Sequence, residues 1–324
     1  MYDLVEMMTY KRPQGSDTQK EFCNKYLEPI MGLPDKYGNY VLTVGNKPQV
    51  CFTAHHDTVH KTSGRQKLAV TKDGIVSLKR KSNGECLGAD CTTGIWLICN
   101  MINAKIPGVY VVHAEEEGGC VGSKALVESD PQWLDDVNYV ISFDRYGKKS
   151  IITHQMGRRT ASDKFAKLLA KTLELPLKPD PNGSYTDSNV YKSKVSECTN
   201  VSVGYYSQHS TEEKQDVVYA YKLLECLISA DWDQLQYYRD NTVVEMGSMY
   251  GDWYDDDYFW GHPPRGYRYD IDQTGDNRIY DMIVDYPEEV ALLLEELGYT
   301  ADELHEMLGI QDHGYINEYL ERVS

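Results

Sequence analysis

No run of about 18 apolar residues interrupts this 324-residue sequence, so a membrane-spanning helix is not expected. The opening stretch, MYDLVEMMTYKR, lacks the apolar core of a secretory signal. Eight cysteines are scattered without a Cys-x-x-Cys pair, which reads as reduced thiols in a cytoplasmic setting. No repeat of solenoid period is visible. From Arg239 onward there is no lysine at all: 21 acidic residues face five arginines, a net charge of −16, whereas residues 1–238 carry a net of −1. That excess of acid repels phosphate and excludes a bulk attraction to nucleic acid. The asymmetry also places a boundary near residues 235–240.

What is present alternates between strand and helix patterns. Two short helices are expected in DLVEMMTYKRPQGSDTQKEFCNKYLEPI, broken by a Pro-Gln-Gly-Ser loop. YVLTV and QVCFTA are β-rich and separated by GNKP, which predicts a hairpin. KLAVTKDGIVSLKR predicts a second hairpin around Asp73-Gly74. TTGIWLICNMINAK is long and nearly all apolar, a buried helix. GVYVVHA, NYVISFD and TNVSVGY have the character of central strands. SDKFAKLLAKTL is amphipathic and opens on a good cap, Ser162. DVVYAYKLLECLISA is a further core-facing helix. The pattern predicts an α/β fold with a mixed, mostly parallel central sheet flanked by helices.

Beyond residue 238 the character changes. Residues 239–282 are an acidic, aromatic, irregular segment, and residues 283–324 predict a small helical appendage, with Thr300 and Glu303 at capping-box spacing. Tail aromatics would be able to cap a cleft in the main domain. The run Asp255, Asp256, Asp257 lacks calcium-loop spacing and reads as a solvated acidic loop.

Chemistry-bearing residues collect at the carboxyl ends of the expected strands, where α/β sheets place their sites. VCFTA ends in His55 and Asp57, VYVVHA in Glu115, Glu116 and Glu117, YVISF in Asp144, and VSVGYYSQ in His209; Asp90 immediately precedes the buried helix. Singly, His55 with Asp57 is a loop hydrogen-bond pair, the three glutamates a solvated turn, and Asp144 a salt-bridge partner of Arg145. His113 and His154 compete with His209, and His56 and His60 read as surface or supporting residues. Together, two imidazoles and several carboxylates would repel and take up protons unless divalent cations held them. Mixed His and carboxylate donors suit zinc, with cobalt or manganese as alternatives.

The ordered set HHDTV, LGADCTTG, EEGGCVGS, SFD and YYSQHS, with the late GSYTDS, resembles the zinc exopeptidase superfamily, the co-catalytic metallopeptidases of M28, M20 and M42 type. The resemblance covers roughly residues 1–232 and implies two divalent ions. It implies that His55 and Asp144 hold one metal, that Glu117 and His209 hold the other, and that Asp90 bridges them. Asp57 would orient His55, and Glu116 would be the general base; alignment on Gly119, Gly122 and Ser123 leaves Glu115 outside the motif. Cys91 stands where the family often has a second aspartate and would make the site oxidation-sensitive. Only 64 residues separate Asp144 and His209, too few for the M20 insertion, and a compact M28-like domain over residues 1–238 fits best. The implied activity is aminopeptidase action on short peptides. Alternatives are a carboxypeptidase or amide deacylase, with Arg158 and Arg159 as candidates for a substrate carboxylate, or a binding protein that keeps the fold. Single-metal transferases that cyclise N-terminal glutamine would not need the complete ligand set. The oligomeric state is not legible.

Overall fold

The computed structural model describes residues 2–79, 84–129 and 131–242. The expectations for the tail, including Asp255–Asp257 and the helical appendage, therefore lie outside the described residues apart from 239–242.

Seven strands form the main sheet: β1 (Tyr40–Val44), β2 (Val50–His55), β3 (Gly108–His113), β4 (Tyr139–Arg145), β5 (Ser150–Ile152), β6 (Lys178–Asp180) and β7 (Glu197–Ser202). Their order is β6-β5-β7-β4-β2-β3-β1. β2 pairs in parallel with both β3 and β4, and β4 in parallel with β7; antiparallel pairing occurs at β1–β3 and β5–β7. The sheet is mixed and mostly parallel.

One expectation fails here. YVLTV and QVCFTA do not form a hairpin: β3 inserts between β1 and β2, with Tyr40 opposite Val112 and Cys51 opposite Val109. The Gly-Asn-Lys-Pro link is a crossover past an inserted strand, and its turn-like composition does not report which strand fills the gap. The second hairpin does form, Leu68–Val70 pairing antiparallel with Ile75–Leu78 across Asp73-Gly74, where Gly74 has φ +77°.

Alternation along the strands loads both faces of the sheet. Phe52, Tyr110, Val112, Ile141 and Phe143 pack on one side with Trp96, Ile95 and Leu97 of α2 (Ala89–Asn103). Cys51, Val109, Val111 and Val140 pack on the other, with Leu126 of α3 (Val121–Ser129) and Tyr191. The helix α1 (Asp17–Tyr26) starts on Ser16, whose side chain accepts from the Gln19 N–H. α4 (Asp163–Thr172) starts on Ser162 as expected, and α5 (Val217–Ser229) on Asp216. Among the described residues no helix is long and apolar enough to cross a membrane.

Phe52 lies at the centre of the larger core, fully buried, stacked on Phe143 at 5.8 Å and edge-on to Trp232 at 4.8 Å. Phe52→Ala is expected to destabilise the fold by about 3–5 kcal/mol, because lost burial adds to an unfilled cavity. Denaturant unfolding checks this, and a loss below about 1 kcal/mol would contradict the packing described.

After α5 the chain turns back along the amino ends of the strands. The Tyr139 hydroxyl donates to the Leu235 carbonyl, and the Tyr238 and Arg239 N–H groups donate to Glu197. The Arg239 guanidinium donates to the carbonyls of Lys192, Val195 and Ser196. Tyr139 and Glu197 open β4 and β7, so residues 235–239 run at the sheet edge opposite the carboxyl ends.

Candidate metal centre

The parallel strands β2, β3 and β4 end side by side and deliver His55, the Glu115–Glu117 turn and Asp144 to one edge. α2 presents Asp90 in its first turn, packed close because Gly94 allows contact with the Phe143 carbonyl, the Cys91 sulfur and Ala54; any Cβ there would collide. His209 comes from the turn between two short strands of a separate four-stranded sheet, Tyr205–Tyr206 and Lys214–Asp216.

These residues form two donor groups that share one carboxylate. His55 Nε2 lies 3.1 Å from Asp90 Oδ1 and 3.4 Å from Asp144 Oδ1. His209 Nε2 lies 3.2 Å from Asp90 Oδ2 and 3.2 Å from Glu117 Oε1. Tetrahedral zinc with bonds of about 2.0–2.1 Å separates its ligand atoms by about 3.3 Å, so these spacings suit a common cation in each group. Glu117 Oε1 and His209 Nε2 are buried and face each other and Asp90 as an ion pair, without a hydrogen bond of good geometry, an arrangement that a shared cation would satisfy. The residues fit divalent cations.

Supporting contacts set each donor. His55 Nδ1 lies 3.1 Å from the Asp57 carbonyl oxygen and 3.5 Å from its carboxylate, which leaves Nε2 facing the centre. The Asp57 carboxylate also accepts the N–H groups of Glu116 at 3.1 Å and Glu117 at 3.0 Å, fixing the turn that carries them. Burial alone would raise the Asp57 pKa, but its bond to His55 and the charges around it hold it down at about 2. Asp144 Oδ2 accepts the Thr186 hydroxyl at 2.7 Å. Arg145 points to the other face of β4 and reaches Asp180 and the Asn182 carbonyl, so it is not the partner of Asp144. Glu116 is not in either donor group by contact; its Oε2 lies 3.9 Å from His55 Nε2. Burial, then neighbouring Asp144, Asp187 and Glu117, raise its pKa well above the ordinary glutamate value despite His55.

The structure thus gathers His55, Asp57, Asp90, Glu116, Glu117, Asp144 and His209 in one place. Glu115 turns away, in a left-handed conformation with φ +55°, and accepts from Gln14. His113 is buried against Tyr191, away from the donor groups. His56 and His60 are not surface residues: both are buried, His56 between Gln19 and the Gly38 carbonyl, His60 among Thr58, Gln66 and the Cys86 carbonyl. Cys91 is fully buried and donates to the Phe143 carbonyl at 3.1 Å. Burial pushes its thiol pKa well up, so the expected oxidation sensitivity has no exposed thiolate to act on.

Three further contributors were not singled out from the sequence. Arg12 is fully buried, donating to the His56 carbonyl and Thr92 while its guanidinium lies 4.2 Å above the Phe22 ring. Asp187, within GSYTDS, is buried beside Glu116, and burial followed by neighbouring carboxylates raises it to about 7. Glu213 is buried with both oxygens on backbone N–H groups. The roles of Arg12 and Glu213 arise from burial and backbone contacts, which carry no local spacing signal; for Asp187 the signal is the GSYTDS motif that contains it.

The protonation of these side chains predicts how a cation binds. Burial lowers the His209 pKa, but the adjoining Asp90 and Glu117 carboxylates outweigh it and lift it to about 11. Burial is likewise outweighed at His55, where the Asp144 and Asp57 carboxylates raise the pKa well above its usual value. A metal takes the neutral imidazole, so protons leave on binding and apparent affinity climbs as pH rises through the neutral range. Below about 6, protonation of Asp144, raised by burial and by Asp90, weakens binding further. Calorimetry near neutral pH in buffers of different protonation enthalpy is expected to show net proton release of about one to two per chain; no release would contradict this electrostatic account.

Residues 39–286 match the sequence profile of peptidase family M28. No curated protein matches the chain. Among solved structures the chain is similar to the aminopeptidase PepT from Bacillus cereus, with a TM-score of 0.54 at 15% identity over 70% of this chain and 95% of that one. A tripeptidase from Staphylococcus aureus gives 0.56 at 13% identity over 70% and 95%. The Pyrococcus horikoshii TET1 peptidase, which assembles into a tetrahedron or a large octahedral shell, gives 0.52 at 15% identity over 70% and 98%. At these identities the likeness speaks for the fold, and the profile match, over most of the chain, decides the family. The chain belongs to the M28 peptidases, a family of metal-dependent peptidases.

Proposed function

We propose that the protein is a dinuclear zinc aminopeptidase that removes N-terminal residues from short peptides. The observation that carries this reading is the pair of donor groups, His55 with Asp144 and His209 with Glu117, each facing one oxygen of Asp90. Zinc is proposed from the balance of imidazole and carboxylate donors, with cobalt or manganese able to take the same set. Two such ions would acidify a nucleophilic water and polarise the scissile carbonyl.

The chain's own residues would do the rest. Glu116 stands next to the donor groups without belonging to either, which suits a general base. A carboxylate at that place can take a proton from the attacking water and pass it to the leaving amine. Asp57 would hold the Glu116 and Glu117 peptides in place through two N–H bonds, and Thr186 would orient Asp144. All site atoms lie within residues 1–238, the proposed catalytic domain. The eight free cysteines support a reducing, cytoplasmic setting. A carboxylate-reading role for Arg159 is weakened by its bond to Asp163 at 2.9 Å.

The test is a mass-spectrometric digest of mixed short peptides, free or acetylated at the N-terminus, with zinc present. Stepwise trimming of only the free peptides supports the reading. Cleavage from the carboxyl end, or only of acetylated substrates, would replace it with a carboxypeptidase or deacylase.

A further inference from the structure

The two halves of the centre are built differently. His55 and Asp144 end adjacent parallel strands, with Phe52 opposite Ile141 and Thr53 opposite Ser142, so the main sheet itself sets their spacing. His209 has no such support. It sits on a turn of the second sheet, where Ser207 and His209 both adopt left-handed backbone conformations, with φ +53° and +62°. Non-glycine residues hold such conformations only when their surroundings impose them.

The surroundings converge on Glu213, four residues after His209. It is fully buried, and its N–H closes the turn on the Ser210 carbonyl at 3.1 Å. Its carboxylate crosses to the segment that opens α2: Oε2 accepts the Gly88 N–H at 2.8 Å and Oε1 accepts the Asp90 N–H at 3.2 Å. One side chain therefore ties the backbone of the shared ligand to the turn that carries His209. Each N–H is met here by its own oxygen; an amide would put an NH₂ donor in place of one of them. A buried carboxylate so close to Asp90 adds like charge, so an apolar residue would fill the space at lower cost if packing were its only purpose.

We propose that Glu213 is a positioning residue for the His209 half of the centre, clamping the Asp90 backbone to the His209 turn so that both ligands face one ion. This inference rests on the dinuclear reading. Its consequence is unequal: loss of the clamp should weaken binding more at His209 and Glu117, which lose both the turn and the Asp90 register, than at His55 and Asp144, whose spacing the strands still set.

The experiment is a stepwise zinc titration against a competing chelator on the full chain, in the wild type, Glu213→Gln, Glu213→Ala and His209→Ala. The step lost in His209→Ala identifies the His209 half. Glu213→Gln keeps the volume and one acceptor, and circular dichroism with thermal melting verifies that each variant is folded. The expected result is that the His209 step weakens about 10- to 100-fold in Glu213→Gln and further in Glu213→Ala, and by clearly more than the other step, which shares Asp90 but keeps two strand-borne ligands. Peptide hydrolysis by Glu213→Gln should recover at saturating zinc. Equal weakening of both steps would reduce Glu213 to a helix cap contributed from afar and overturn the proposal, as would two unaltered steps. A wild type that binds no second ion would instead overturn the dinuclear reading and this inference with it, whereas two ions in the wild type separate the two questions.

Discussion

Glu116→Gln is expected to lower kcat on a free short peptide about 10²- to 10⁴-fold while leaving metal content unchanged. The substitution preserves shape and removes the ability to accept a proton. Glu116 lies 3.9 Å from His55 Nε2 but, unlike Asp90 and Asp144, belongs to neither close donor group, so metal binding should survive. The N–H of residue 116 still donates to Asp57, so the turn that carries Glu117 is undisturbed. KM should move little, because the lost interaction is one of proton transfer in the transition state. Steady-state kinetics beside elemental analysis checks both halves of this expectation. Retained activity within about tenfold of wild type would remove Glu116 from the role of base.

Asp90→Asn should have the larger effect on metal content. Each oxygen of Asp90 faces a different imidazole, at 3.1 and 3.2 Å, so the residue serves both groups at once. Asparagine keeps one oxygen and turns an NH₂ donor toward the other group, where a cation would have to sit. Removing the partners of metal ligands already costs about 10- to 100-fold in affinity, and loss of a shared ligand oxygen should cost at least about 100-fold for one ion. Zinc content should fall from two ions to at most one, with hydrolysis lost in step. Two ions retained at wild-type affinity would show that Asp90 does not bridge.

Much of this centre was legible in the sequence because its donors end short apolar strands. A buried parallel strand announces itself as a β-rich run, and the first polar residues beyond it must lie at the sheet edge; His55 and Asp144 are placed by that logic, as is the glutamate turn. Asp90 needed a different cue, the start of a long apolar helix. VSVGYYSQ reads as one strand ending in His209, but β7 stops at Ser202 and His209 comes from a turn of another sheet; the likeness of its surrounding motif is what selects it over His113 and His154. The hairpin assigned to YVLTV and QVCFTA failed because strand order depends on long-range pairing: the partner of both strands begins at Gly108, more than sixty residues after β1. Arg12 and Glu213 were invisible for a related reason. They act on backbone atoms of segments distant in sequence, contacts that leave no pattern in the residues nearby. His56 and His60, read as surface or supporting residues, are buried, because Gln19 and Gly38 close on the first and Gln66 and Cys86 on the second, contacts from segments apart in sequence.

The central claim is that one chain holds two divalent ions through a single shared aspartate. Native mass spectrometry of the zinc-loaded chain tests it most directly. The account predicts two zinc ions per wild-type chain and no more than one in Asp90→Asn; a wild-type chain fully active with a single ion, or with none, would contradict it.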